Sequence, residues 1–503
     1  SAKAAAVSGL ALTVFSQALS FILTLGIGAT LARLLKPEDF GLYAMAGSVI
    51  GFAHLFKDFG LSSAVVQRET ITHELVSTLF WINIGLCAVL TLVVVAMAPV
   101  VAWIFDEPRL FGVTLMSSGA FLFTGLGLQH RALLQRNLRF ATLMKVGIVA
   151  QILVAALSIL LAFRGFGYWT LAIGAVVQPL VLALLYFVAT GWIPCWPRRN
   201  TGSRASAVFG ANLTGFEMIN YFARNLDNFI IGRFLGSVAL GFYSKAYGLL
   251  LMPLRQVNGP FMSALFPVLS RMKSDPAQYQ RYYYRAATVL LAVTWPVTAF
   301  MLVEAKDIVR VMLGLQWMDS VPVFRALGIA AMVGCTNFIT AWAYRSLGHV
   351  RQQLIAVSFQ TPVIIASFFI GLPWGIVGVA WAYSICMLCI RIPYVGYCFR
   401  GTPLSLSAMW KAVQWPLVMS LLAGLIGWGV SLLFSAWVFW LRLPTVGVVF
   451  VVAYVTLWIT FQRGRTLIQH TWSALSELEQ VATLLKRSPW NRLHHWITSP
   501  RFA

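Results

Sequence analysis

The sequence predicts an all-α polytopic membrane protein of about fourteen spanning helices. They are expected as two parallel six-helix lobes, two extra helices and an amphipathic C-terminal tail. Three observations carry this expectation. Hydrophobic residues make up 59% of the 503 positions and charged residues only 10%, with a mean hydropathy of +0.79. Soluble domains average about 45–50% apolar and about 25% charged. Apolar segments of about 20 residues, the length that crosses a bilayer, recur along the chain. Finally, a block near the start of the sequence returns 200 positions later.

The apolar segments lie near 8–34, 40–66, 74–104, 109–130, 140–163, 167–193, 206–232, 239–269, 284–313, 321–345, 353–372, 374–399, 408–434 and 439–462. The connections between them are short and leave no room for a folded extramembrane domain. The first segment is long enough to span and reads as a helix of the fold rather than a cleavable leader. An even number of spans puts both termini on one side. The chain carries 37 Lys and Arg against 15 Asp and Glu, a net charge of +22. In a soluble chain that excess would suggest nucleic acid. Here it reads as the enrichment of cytoplasmic loops in Lys and Arg, so no nucleic-acid partner is expected. With the N-terminus inside, most basic residues fall on the cytoplasmic side, including the HRALLQRNLRFATLMK linker (131–145), 198–204 and 270–285. Four remain at membrane depth and are not explained by topology: Lys57, Arg224, Lys245 and Arg255.

The repeat aligns ARLLKPEDFGLYAMA (32–46) with GRFLGSVALGFYSKA (232–246). Arg33 matches Arg233, Leu35 matches Leu235, Gly41 matches Gly241, Tyr43 matches Tyr243 and Ala46 matches Ala246. Six expected helices separate the copies. An even number keeps the two units in the same orientation, related by an axis along the membrane normal. The expected organisation is an N-lobe of helices one to six (1–200), a C-lobe of helices seven to twelve (201–400), helices thirteen and fourteen (401–462), and a tail (463–503). In the tail an apolar stripe through Ile468, Trp472, Leu475 and Leu478 ends in a basic cluster. That pattern suits a helix lying on an anionic cytoplasmic leaflet, the alternative being a solvated tail that follows the positive-inside bias.

The polar residues inside spans carry the functional question, because a charge at bilayer depth costs about 2.5–3.5 kcal/mol on insertion scales. On helix seven, Glu217, Asn220, Tyr221, Arg224 and Asn228 follow helical spacing and share a face, with Asp227 near the same side. Arg224 can grip a phosphate through its planar fork while the amides and Tyr221 read hydroxyls. Alternatively Arg224, Asp227 and Glu217 neutralise one another in a structural network. On helix two, His54, Lys57 and Asp58 share a flank. Lys57 either faces a cavity with Asp58 as partner or proton carrier, or snorkels toward the cytoplasm. Helix eight holds Lys245 and then Pro253, Arg255 and Asn258, where a proline bend is either a hinge or a fixed kink. The six cysteines read as small core residues, including the CxxC of Cys386 and Cys389. No metal-binding, nucleophile-elbow or phosphate-loop motif is present, so neither an enzyme nor a bound cofactor is expected.

At this point several blocks point to a family. RLLKPEDFGLYAM, FGLSSAVVQRE, HRALLQRNLRF and RNLDNFIIGRFLGSVALGFYSKAYGLLLMP resemble the polysaccharide-exporter branch of the MOP superfamily. These are the Wzx-type lipid-linked oligosaccharide flippases, and the resemblance is to their WzxC-like group over about residues 10–400. It implies a two-lobed inverted-V transporter that works by alternating access in the bacterial inner membrane. The implied cargo is an undecaprenyl-diphosphate-linked oligosaccharide, of exopolysaccharide or O-antigen type, moved from the cytoplasmic to the periplasmic leaflet. Membrane lipids, a polysaccharide polymerase and export machinery are the implied partners. The family's cationic cavity, lined by helices one, two, seven and eight, maps onto Gln17, Lys57, Arg224 and Arg255. Relatives that use proton or sodium gradients make Asp58, Glu217 and Asp227 the coupling candidates. Two other functions compete. A multidrug or small-molecule antiporter of the same superfamily would need acidic cavity residues, whereas basic residues predominate at depth here. A membrane polymerase or ligase would be expected to present a large outer loop, and none is present.

Overall fold

The computed structural model describes residues 2–58, 60–68, 71–197, 203–435 and 437–461. Side chains are described throughout these ranges except at 2–16, 63–64, 67, 203–224, 260, 263–264 and 350. The expected tail, 463–503, lies outside the described residues. Among the described residues there is no strand, and eleven stretches are long and apolar enough to cross a membrane.

The helices follow the hydropathy pattern. They are α1 (Ala2–Leu34), α2 (Pro37–His54), α3 (Leu61–Gln67), α4 (His73–Phe105), α5 (Arg109–Arg136), α6 (Phe140–Phe163) and α7 (Trp169–Thr190). Next come α8 (Ser203–Arg271), α9 (Pro276–Val303), α10 (Ala305–Met312), α11 (Val321–Leu347), α12 (Val350–Gly371), α13 (Gly375–Phe399), α14 (Leu406–Leu433) and α15 (Phe439–Thr460). The helix expected over 40–66 is interrupted. It ends at His54 and resumes as α3, with residues 55–58 and Gly60 in turns and bends that include Lys57 and Asp58. The physical reason is local: Gly60 takes a left-handed φ of 67°, and Asp58 Oδ1 accepts from the backbone N and the hydroxyl of Ser62, starting a new helix. Helices seven and eight, expected over 206–232 and 239–269, are two helices that meet at a kink within α8. The backbone leaves helical torsions at Gly236 (φ 86°, ψ 178°), and not at Pro253. The hinge-like point is therefore a glycine, the residue that adopts such angles without a Cβ clash. The linker expected over 131–145 is also largely helical, because α5 continues to Arg136 and α6 begins at Phe140.

The described residues gather into two compact units. The first comprises the described residues of 2–251, 305–330 and 354–392. In it α5 packs against α4 and α7 through small residues: a Cβ on Gly125 would press on Cys87, and one on Gly127 on Ala183. Close backbone approach of this kind drives helix association where lipid supplies no hydrophobic force. The second comprises the described residues of 252–304, 331–353 and 393–461. There α9 packs on α14, and Ala299, Ala423 and Phe450 form a core cluster. Tyr279 and Tyr283 are fully buried and hydrogen-bond to Ser346 Oγ (2.7 Å) and to the Ile339 carbonyl (3.1 Å).

Within the first unit the two repeat copies touch each other reciprocally. A Cβ on Gly41 would fall on the carbonyl of Ser237, and a Cβ on Gly241 would fall on the carbonyl of Pro37. Positions 37 and 237 are themselves equivalent by the 200-residue offset. Residue i of one copy thus meets residue j of the other and the converse, which is what a pseudo-two-fold relation requires. Gly at both positions is explained by backbone packed on backbone rather than by turn conformation.

Candidate functional site

The break in the second span positions the first group of polar residues. A cavity of about 290 Å³ is lined by Asp58, Ser62, Leu128, Arg131 and Gln135 among others. Asp58 is committed to Ser62 by two hydrogen bonds of 3.0 and 2.8 Å. Among the described residues it forms no ion pair with Lys57. Lys57 sits beside the cavity within electrostatic reach of Asp58 and Arg131, and its own carbonyl accepts from Cys87 Sγ at 3.5 Å. Among the described residues Lys57 has no acidic partner within salt-bridge distance. His54 stacks on Phe121 with ring centroids 4.5 Å apart, as a packing histidine does.

Arg131 is the member of this group that sequence reasoning missed. It was assigned to a loop, whereas it stands on the last turns of α5 facing the cavity. The signal was available in the apolar periodicity through ALLQ, which continues α5 past the end of its hydrophobic window.

On α8 the residues Glu217, Asn220, Tyr221 and Arg224 have side chains outside the described residues. Asp227 is buried. Its Oδ2 accepts from the Tyr243 hydroxyl (3.2 Å) and its Oδ1 from the backbone N of Asn228 (2.7 Å). Tyr247 lies against Tyr243 and reaches the hydroxyl of Tyr383 at 3.4 Å. Asn228 is half-buried. Lys245 places its Nζ 3.6 Å from the centroid of the Phe40 ring, a cation–π contact from the second repeat copy to the first. Arg255 is exposed, and among the described residues it forms no ion pair. Gln17 is exposed on α1. Lys57, Asp227 and Lys245 belong to the first compact unit and Arg255 to the second.

The ion pairs found among the described residues lie elsewhere. Arg109 bridges Glu38 at 2.6 Å and Glu107 at 2.7 Å, joining the first repeat block to the turn between α4 and α5. The hydrogen bond from Arg109 holds the Glu107 carboxyl below its ordinary value, with burial opposing. Among the described residues the ion pairs therefore gather at this turn, while at the break in the second span Asp58 shares the cavity with Arg131 without an ion pair to it or to Lys57.

Many apolar spans, interrupted helices and polar residues placed beside those interruptions define a polytopic membrane transporter fold. The comparisons agree. The fold matches a lipid II flippase, MurJ, in an inward closed conformation, with a TM-score of 0.70 over 90% of this chain and 98% of that one at 15% identity. It also matches an inward-facing multidrug resistance MATE family transporter of the MOP superfamily, with a TM-score of 0.58 over 77% of this chain and 96% of that one at 15% identity. A family profile described as polysaccharide biosynthesis protein matches residues 30–322. The chain belongs to that family. It is 26% identical to the lipopolysaccharide biosynthesis protein WzxC of Escherichia coli over 63% of this chain and 66% of the relative. It is 25% identical to the teichuronic acid biosynthesis protein TuaB of Bacillus subtilis over 76% of this chain and 80% of the relative. It is also 26% identical to the succinoglycan biosynthesis transport protein ExoT of Rhizobium meliloti over 61% of this chain and 63% of the relative.

Proposed function

We propose that this protein is a flippase. It carries undecaprenyl-diphosphate-linked oligosaccharide repeat units from the cytoplasmic to the periplasmic leaflet of a bacterial inner membrane by alternating access. The observation that carries the reading is the distribution of charge. Among the described residues the ion pairs gather on Arg109, while Lys57 and Arg255 have no acid within pairing distance. A diphosphate supplies the missing negative charge, and cations inside a bilayer are costly unless something does. The names of the relatives, which speak of lipopolysaccharide and succinoglycan biosynthesis, support a polysaccharide precursor as cargo.

In this reading Lys57, Arg224, Lys245 and Arg255 attract the diphosphate, and Gln17, Asn220, Tyr221 and Asn228 read sugar hydroxyls. Asp58, Glu217 and Asp227 are the candidates for coupling to a proton or sodium gradient. The two lobes, 1–200 and 201–400, exchange access, and both termini face the cytoplasm. The protein performs no bond chemistry and hands its cargo to a polymerase and export machinery. Replacing Arg224 or Arg255 by Ala is expected to abolish polymer export at normal protein abundance. Wild-type export from both variants would defeat the site assignment. Incubation of purified protein with lipid-linked sugar is expected to yield no new covalent product, which separates a flippase from a polymerase.

A further inference from the structure

The repeat copies share an arginine at the end of their first helix, and the structure treats the two differently. Arg33 is exposed but tied down. Its Nη2 donates to the Val311 carbonyl at 2.6 Å, and the turn beside it is held by Gln316 Nε2 on the Ala32 and Leu35 carbonyls and by Trp317 Nε1 on the Ala32 carbonyl. Val311, Gln316 and Trp317 all come from the long connection that contains α10. The connection facing Arg233 is much shorter, because only residues 106–108 separate α4 from α5. It leaves a groove of about 550 Å³ whose lining includes Trp103, Asp106, Phe229, Arg233, Phe234 and Phe369.

The groove has three properties together. Its walls are mostly apolar, and Trp103, Phe234 and Phe369 expose 80%, 59% and 48% of their surface, as aromatic residues do where protein meets lipid. Arg233 is exposed, and among the described residues it forms no ion pair. Asp106 lines the same groove on a left-handed turn (φ 55°) and likewise has no ion pair among the described residues, so the two opposite charges share the groove without neutralising each other.

We propose that this groove is a binding site for a zwitterionic phospholipid of the surrounding bilayer with a primary ammonium headgroup. The phosphate sits on Arg233, the ammonium on Asp106, and an acyl chain lies along the phenylalanine wall. A guanidinium and a carboxylate held apart on an apolar surface complement such a headgroup at both ends. A quaternary ammonium could not donate a hydrogen bond to Asp106, and a glycerol headgroup would leave the carboxylate without a cation.

The test is native mass spectrometry of the full-length protein released from detergent in the presence of phosphatidylethanolamine, phosphatidylcholine or phosphatidylglycerol. The wild type is expected to retain phosphatidylethanolamine over the other two. R233Q is expected to lower its retention about fivefold, the scale of one lost charge-assisted contact. D106N, in which Asn still tolerates the left-handed turn, is expected to erase its lead over phosphatidylcholine. Retention indifferent to headgroup in the wild type, or unchanged in R233Q, overturns the proposal, as does a phosphatidylethanolamine lead that survives D106N. Should R233Q not fold, D106N alone decides. Polymer export is assayed separately, so the lipid site can fail while the flippase reading stands, and the converse.

Discussion

Arg33 and Arg233 occupy the same place in two copies of one motif and both are exposed, yet one is tied to the Val311 carbonyl and the other lines a groove. The difference does not come from the motif. It comes from what the other half of the chain lays against it. The connection through α10 is long enough to bring a carbonyl, an amide and an indole to the first copy. The three residues between α4 and α5 bring only Asp106 and the end of α4 to the second. A sequence repeat thus fixes matching local geometry, and unequal neighbours then give the copies unequal roles. The reciprocal glycine contact is where the copies remain alike, so it is the reference for measuring how far they have diverged.

The largest expected effect comes from breaking that likeness. Gly41→Ala or Gly241→Ala sets a methyl group against a backbone carbonyl, which cannot swing aside as a flexible side chain can. Each is expected to cost at least about 1–3 kcal/mol, the usual range for overpacking, and to abolish export. Thermal unfolding of the purified protein and polymer export read both. Reciprocity requires the two variants to behave alike, and a benign Gly241→Ala beside a damaging Gly41→Ala would remove the pseudo-two-fold argument.

Next comes the seal on the first copy. Trp317 is fully buried and sits edge-on to Phe40 with centroids 5.5 Å apart. Trp317→Ala is expected to cost about 3–5 kcal/mol if its site cannot collapse. It should also raise the lipid retained per molecule by opening a second groove near Arg33. Thermal unfolding followed by lipid counting separates these effects, and destabilisation without extra lipid would show that the seal is packing alone.

A smaller change is expected at Lys245. Lys245→Met keeps the volume over Phe40 but removes the cation, at about 0.5–2 kcal/mol for a cation–π contact. If Lys245 serves only this contact between copies, export should fall in step with stability. If it also touches cargo, export should fall much further.

The smallest effect belongs to the exposed ion pairs. Glu38→Gln and Glu107→Gln are each expected to shift stability by about 0–1 kcal/mol. Because the folded Glu107 carboxyl is held below its ordinary value, its contribution is present above that value. It is lost as pH falls through the lowered one. Unfolding curves between neutral and acidic pH should therefore converge for wild type and Glu107→Gln at the acid end.

The sequence marked the spans well because hydropathy is a local property that each segment carries by itself. It joined 40–66 into one helix because the apolar run hides a break that depends on Asp58 folding back to Ser62. It placed separate helices over 206–232 and 239–269, and the kink at Gly236 falls in the gap between them. The candidate site was legible in part. Lys57 and Asp58 stand out as polar residues in a span, whereas Arg131 reads as loop charge, because the local periodicity that extends α5 does not say that Arg131 and Asp58 share a cavity. Lys245 was visible as a buried cation, while its partner Phe40 lies far away in sequence.

By itself, then, the chain determined its membrane class, the placement of its helices, its internal duplication and its family. These rest on composition, periodicity and short blocks, which neighbouring residues decide among themselves. Only the tertiary structure decided that Gly41 meets Ser237, that Arg33 is tied to Val311 while Arg233 lines a groove, and that Asp58 shares a cavity with Arg131. The physical reason is that such contacts join residues far apart in the chain. Their formation depends on connection lengths and backbone approach, which no local pattern encodes.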